Sequence, residues 1–345
     1  MINGILVINH YLRSNKFDDL YNMFKTSAYN NNINLSVKTN REILLDIESS
    51  TSLAENSLYT TDTLSINDAL LTHDISNKHI ITEQTSNDRD NIFNNNYNDK
   101  DNINNNISFI LFWDKDVLLA RYLESKGYRV FNSSEAIRIC DDKALTHIEL
   151  SNSNIPMPRT IVSPFTYDIQ YNQHHNGFLE DVANKLGFPM VVKARQGSFG
   201  AQVHIANNQN ELQEVTELYN AGNVIYQEYI KTSHGKDIRL QVVGDKVVCA
   251  MYRYSDSDFR ANISNGGHMK EYIPSKEECD LAVKASMALG LDFAGVDLLF
   301  GDNDTRLVCE VNSNAHFRNI YDLTGVDVAD CITKYILDII SKCKQ

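Results

Sequence analysis

Between residues 84 and 107 the chain carries runs such as Asn94-Asn95-Asn96 and Asn104-Asn105-Asn106, with almost no apolar side chains. Such a stretch cannot bury enough surface to offset the entropy of ordering it. It reads as a surface insertion or flexible loop, so the folded parts must be built from the apolar runs on either side. The 345 residues suit two or three domains of ordinary size. Hydrophobic residues make up 42% and charged residues 22%, enough for a real core.

Before the break the runs alternate in kind. Residues 4–9 form a short apolar run suited to a buried parallel strand. Phe17, Leu20, Tyr21 and Phe24 recur at helical spacing, Ile33 to Val37 alternates like a half-buried strand, and His79-Ile80-Ile81 reads as another. Strand, helix, strand in this order points to an α/β domain with a parallel sheet. Structure resumes at Ser108 to Trp113. Asp114 is expected to cap a helix containing Val117 to Leu123, and Gly127 ends it. Ser133-Ser134-x-Ala136 caps the next helix, and Asp141-Asp142-Lys143 opens one running to about Asn152. The stiff Ile155-Pro156-Met157-Pro158 linker follows. A domain boundary near 140 gives two parts, 1–140 and 141–345.

In the second part strands are expected at 190–193, 202–206, 224–229, 237–243, 246–254, 293–300 and 306–311, and helices near 209–220, 276–289 and 326–341. The first part holds 13 basic and 18 acidic residues, and the second 19 and 27. Neither is basic, which disfavours nonspecific nucleic-acid binding and anionic-lipid binding. No apolar run approaches a membrane span, and MINGILVINHYL lacks the basic start of a signal peptide. The six cysteines form no CxxC pair. A cytoplasmic protein with reduced, mostly structural thiols is the plain reading.

Three constellations carry chemistry. Lys193 ends an apolar strand and precedes a small loop with Gly197, Ser198 and Gly200. An ammonium beside loop amides suits polyphosphate, although an ordinary hairpin turn has the same composition. It is not a Walker A motif, and no GxGxxG follows the first strand. Next, Asp297 sits on one apolar strand, with Glu310 and Asn312 on the following one. Residues two apart share a strand face, and Cys309 and Val311 then supply the other, buried face. Three convergent oxygen ligands would suit Mg²⁺ or Mn²⁺, and a solvent-facing acid pair is the alternative. Lastly, Arg239 and Arg260 lie near strand ends, suited to carboxylate or phosphate recognition or to surface ion pairing.

In order along the chain stand Asp142-Lys143, the Lys193 strand, Tyr226-Gln-Glu-Tyr-Ile230, Asp237-Ile-Arg239, Asp258-Phe-Arg-Ala-Asn262 with Gly266-Gly267, Ala294-Gly-Val-Asp297 and Glu310-Val-Asn312. Together they resemble the ATP-grasp carboxylate–amine ligases, most closely the RimK-like branch that includes ribosomal-protein glutamate ligase. The resemblance covers roughly 110–340 well and the earlier residues only in layout. It implies a Rossmann-like α/β pre-ATP-grasp domain followed by an α+β ATP-grasp domain whose two subdomains clamp ATP. It implies ligation of a carboxylate, on a small molecule or a protein C-terminus, to an amino acid or amine through an acyl phosphate. By resemblance Lys143 and Lys193 contact phosphates and the glycine loop closes over them. Glu228 and Tyr229 reach the adenine, Asp237 is another nucleotide contact, and Arg260 and Asn262 lie near the γ-phosphate. Arg239, Lys193 and Arg260 are the expected catalytic residues, and Asp297, Glu310 and Asn312 the ligands of two Mg²⁺ or Mn²⁺ ions.

The chain also departs from the pattern. Gln202 stands where some relatives have glycine, and Ser313-Asn314-Ala315-His316-Phe317 replaces a familiar turn on the acceptor side. That leaves glutamate as the added amino acid in doubt. A nucleotide-binding regulatory or degenerate protein is the alternative function, against which the intact Asp297/Glu310/Asn312 set argues. Room is left for a homo-oligomer, and neither nucleic acid nor membrane is an expected partner.

Overall fold

The computed structural model describes residues 2–12, 15–45, 47, 107–165, 176–197, 202–219, 223–263 and 266–342. The expected strand at 79–81, nearly all of the Asn-rich stretch, Ser198, Gly200, His174-His175 and Cys343 lie outside the described residues. At the N-terminal end come β1 (Ile2–Ile8), α1 (Asn15–Asn30), β2 (Ile33–Thr39), β3 (Ile107–Trp113), α2 (Val117–Ser125) and β4 (Val130–Phe131). The four strands form a parallel sheet in the order β2-β1-β3-β4. The last five residues of both β1 and β3 are buried, as continuous apolar runs in a two-sided parallel sheet must be.

Asp116, not Asp114, caps α2: its side chain accepts from Leu119 N. The helix starts at Val117, so the cap position falls on the second acid of the pair. Asp114 is buried instead, accepting from Asn9 Nδ2 at 3.1 Å and Lys115 N at 2.7 Å.

Next come α3 (Ser134–Asp141), α4 (Lys143–Asn152), β5 (Thr160–Val162), α5 (Asn176–Leu186), β6 (Met190–Ala194), β7 (Val203–Ala206), α6 (Gln209–Glu217) and β8 (Val224–Glu228). Their strands form an antiparallel sheet in the order β5-β8-β6-β7. The chain continues through β9 (Lys236–Val243), β10 (Lys246–Tyr254), β11 (His268–Glu271), α7 (Lys276–Ala288), β12 (Phe293–Phe300), β13 (Arg306–Asn312), α8 (Arg318–Thr324) and α9 (Val328–Lys342). The third sheet is antiparallel, in the order β11-β10-β9-β12-β13. This is an α/β unit followed by α+β structure, the expected fold class. The segments β5, α5, β11 and α8 were not foreseen.

Local chemistry explains the helix starts. Ser275 and Glu278 form a reciprocal capping box on α7. Asp142 accepts from Ala144 N at 2.9 Å to start α4. The longest-range packing closes the chain on itself. One apolar cluster joins Leu20 and Phe24 of α1, Trp113 of β3, Phe293 and Phe317 to Ile332 and Ile336 of α9. Asn132, 1% exposed, adds polar stitching there. It donates to Phe293 O (3.0 Å) and Ser313 O (2.8 Å) and accepts from Asp292 N (2.6 Å), so its amide is fully used.

Candidate active site

A cleft lies between the second and third sheets. Into it face Lys143 from the start of α4, Lys193 from β6, Gly197, the Gln227–Ile230 segment at the end of β8, Asp237 from β9, Arg260 and Asn262, and Asp297 and Glu310 from the paired β12 and β13. The structure thus gathers into one cleft the sequence-selected residues that it describes, apart from Arg239 and Asn312. Those two line a second cavity with Trp113, Lys115, Met251, Arg253, Asn314 and His316. Asn262 and Glu310 line both and mark where the two meet.

The start of α4 is tied to the end of β6. Arg195 is ion-paired with Asp142, and Lys143 N donates to Arg195 O at 2.9 Å. Lys143 Nζ donates to Gly197 O at 3.2 Å, and burial holds its ammonium below its ordinary value against the pull of Glu310. Gly197 has φ +151°, and a Cβ on it would lie 2.0 Å from Gln202 Oε1. The Gln202 amide oxygen therefore occupies the space that a Cβ at residue 197 would take.

Lys193 is 8% exposed. Its Nζ donates to Gln227 Oε1 at 2.6 Å and lies 3.7 Å from Cys309 Sγ. Glu228 accepts from Arg159 N at 3.2 Å, and the Tyr229 hydroxyl is hydrogen-bonded to His234. Arg260 is held by its near neighbour Asp258, with Nη2 to Oδ2 at 2.7 Å.

The acids differ from one another. Asp297 is 4% exposed and bound by two arginines. Arg239 grips it with two bonds of 2.7 and 2.6 Å, and Arg253 adds a third at 2.9 Å. Burial alone would raise its carboxyl, but the two guanidiniums outweigh it and hold the group below the usual range. Arg253 also binds both oxygens of Asp237, at 2.7 and 2.8 Å. Arg239 is thus neither a surface ion pair nor free. By contrast no described residue hydrogen-bonds or ion-pairs with the Glu310 carboxylate, and Asn312 Nδ2 is buried without a partner.

The Glu310 carboxylate is thus left to accept, and Asn312 Nδ2 to donate, toward a bound group. Asp297 has about one oxygen lone pair left over from its three bonds. Residues Asp297 and Glu310 face each other because of a register shift between Asp297 and Leu298. That bulge corrects the expected strand faces. Cys309 does not share the buried face of Val311; it lines the cleft beside Glu310, while Val308 and Val311 fill the core. Sequence reasoning missed Arg253 and His147, and the anchoring roles of Asp258 and Gln227.

A family model for the RimK-like ATP-grasp domain matches residues 140–336. The chain belongs to the RimK-like ATP-grasp family. It is 35% identical over 231 residues to human N-acetylaspartylglutamate synthase A, covering 66% of this chain and 57% of that protein. It is 37% identical over 221 residues to a probable alpha-L-glutamate ligase of Picosynechococcus, covering 63% of this chain and 70% of that one. Among solved structures it is similar to the ATP-grasp ligase PsnB complexed with minimal precursor, Mg and ADP. There the TM-score is 0.61 at 16% identity, over 98% of each chain. The fold is that of the ATP-grasp ligases, and this RimK-like chain is an ATP-grasp ligase forming carbon–nitrogen bonds. Among the described residues, no helix is long and apolar enough to cross a membrane.

Proposed function

We propose that this RimK-like enzyme joins a carboxylate to an amino acid or amine through an acyl phosphate. The observation that carries the reading is the junction of two cavities. A cleft rich in phosphate-seeking cations (Lys143, Lys193, Arg260) opens at Asn262 and Glu310 into a second cavity. A carboxylate is a poor electrophile. Its oxygen attacks the γ-phosphorus of ATP, ADP leaves, and a mixed anhydride forms. The amine nitrogen then attacks the carbonyl carbon and sheds a proton. Inorganic phosphate leaves with one former carboxylate oxygen. No side-chain nucleophile is needed, and the protein's work is positioning and charge neutralisation.

In this reading Lys143 and Lys193 hold phosphates and the loop of Gly197, Ser198 and Gly200 covers them. Glu228 and Tyr229 lie along the adenine and Asp237 is a further nucleotide contact. Arg260 and Asn262 meet the transferring phosphoryl group. Two Mg²⁺ or Mn²⁺ ions, held by Glu310, Asn312 and the remaining lone pair of Asp297, would neutralise phosphate charge. Arg239 orients Asp297 and faces the acceptor cavity. Acceptors on small molecules and on protein C-termini both fit the chemistry. The test incubates the protein with ATP, Mg²⁺, pooled carboxylates and pooled amino acids, reading phosphate release and product mass. Amide products with matching phosphate are expected. Nucleotide binding with no turnover on any pool would favour a regulatory protein.

A further inference from the structure

Behind the phosphate-facing lysine runs a buried polar chain that the reaction itself does not use. Lys193 Nζ donates to Gln227 Oε1 at 2.6 Å. Gln227 Nε2 lies 3.0 Å from His147 Nε2 and 2.9 Å from Thr160 Oγ1. His147 Nδ1 lies 3.1 Å from Met157 Sδ. His147 and Gln227 are 5% and 2% exposed. The three partners come from different elements: α4, which begins with Lys143, β8 of the adenine segment, and β5.

The hydrogen-bond logic allows one arrangement. An ammonium only donates, so the Gln227 atom facing it is the oxygen. The two amide hydrogens are then committed to His147 and Thr160. His147 Nε2 must accept, so the ring proton sits on Nδ1, toward the Met157 thioether. Burial, helped by the charges of Lys193 and Lys143, lowers the His147 pKa to about 3, so the ring stays neutral at any working pH. A neutral amide thus fixes the ammonium without cancelling its charge. A glutamate at 227 would fix it equally well but pair with it.

We propose that His147 and Gln227 are positioning residues that hold Lys193 on the ATP phosphates with its charge unspent. This rests on the reading that Lys193 meets phosphate. The account predicts a specific split between variants. Gln227→Glu should raise the KM for ATP by about tenfold or more, because the new carboxylate neutralises Lys193, with some loss of Tm, because it also takes away the two amide donors to His147 and Thr160. His147→Phe should raise that KM several-fold with a smaller change in kcat, and His147→Gln, which restores an acceptor, should recover most of it.

The experiment measures ATP KM and kcat, direct binding of a non-hydrolysable ATP analogue, and Tm for these variants and Lys193→Ala. Lys193→Ala binding the analogue as tightly as wild type would sink the phosphate assignment of Lys193. If Lys193→Ala weakens binding while Gln227→Glu and His147→Phe leave it within twofold, the relay is overturned but the phosphate contact stands. Nitrogen-15 NMR of the unmodified protein supplies a readout that needs no variant. The account predicts a neutral Nδ1–H tautomer for His147 that does not titrate between about pH 5 and 9. An Nε2–H tautomer, or titration near the ordinary histidine value, contradicts it.

Discussion

Replacing Arg253 by methionine removes the most deeply buried cation of the site while keeping an unbranched side chain of similar reach. Its side chain is 4% exposed, and its fork holds both oxygens of Asp237 and one of Asp297. Asp297 keeps Arg239 in the variant. No other hydrogen bond from a described residue reaches the Asp237 carboxylate, so a buried charge is left uncompensated. Removing one partner of such a pair costs about 3–5 kcal/mol. For a chain of this length that is a fall in Tm on the order of 5 °C.

The pH dependence follows from the sign. Without Arg253 the folded-state pKa of Asp237 lies above its unfolded value, so the penalty is nearly absent below about pH 4. It grows as pH rises from there to the folded pKa, then levels off. Adding Asp237→Asn to Arg253→Met removes the stranded charge and should recover most of the loss at neutral pH. The assay is thermal unfolding of wild type, single and double variants at about pH 5 and pH 8. A loss below about 1 kcal/mol, or an equal loss at both pH values, would refute the reasoning.

Three further outcomes are expected. Glu310→Ala should abolish turnover even in saturating Mg²⁺, since it removes the cleft acid that no described residue hydrogen-bonds or ion-pairs; near-normal activity would remove Glu310 from the site. Arg260→Ala should lower kcat roughly a hundredfold with much less change in the KM for ATP, and Arg260→Lys should be impaired as well. Changes of a few-fold in both constants would make Arg260 only the ion-pair partner of Asp258. Asn132→Ala should cost about 2–4 kcal/mol of stability without altering the KM for ATP, because it strands the buried backbone groups of Phe293 and Ser313; thermal unfolding checks it.

Much of the layout was legible because continuous apolar runs, caps and glycine turns are local signals. The buried strands β1, β3, β6 and β12 and the starts of α3 and α4 fall where those signals lie. Short elements were not. The three residues of β5 and the seven of α8 have too few positions to show a period. The site was legible as a set of residues and not as a set of pairings.

Counting back from the Val243–Lys246 turn sets Asp237 opposite Tyr252, but a bulge between Val247 and Cys249 brings Arg253 there instead. Counting from Phe300 and Arg306 sets Asp297 opposite Cys309, and a second bulge substitutes Glu310. One-residue register shifts depend on tertiary packing, so no local pattern announces them. The first shift brings Arg253 beside Asp237 and Asp297, whereas Arg239 faces Asp297 through the unshifted β9–β12 pairing. The second explains why Cys309 sits beside Lys193 in the cleft. Likewise the contact of His147 with Gln227 spans 80 residues, and a lone histidine in a helix carries no sign of such a partner.

The acyl phosphate is tested most directly by following oxygen. With the carboxylate acceptor labelled with oxygen-18 and unlabelled ATP, the account predicts that the phosphate released with each amide bond carries one labelled oxygen. Glu310→Ala should yield neither amide nor labelled phosphate. Amide formation accompanied by phosphate free of label would contradict the mechanism, because no carboxylate oxygen would then have bonded to the γ-phosphorus.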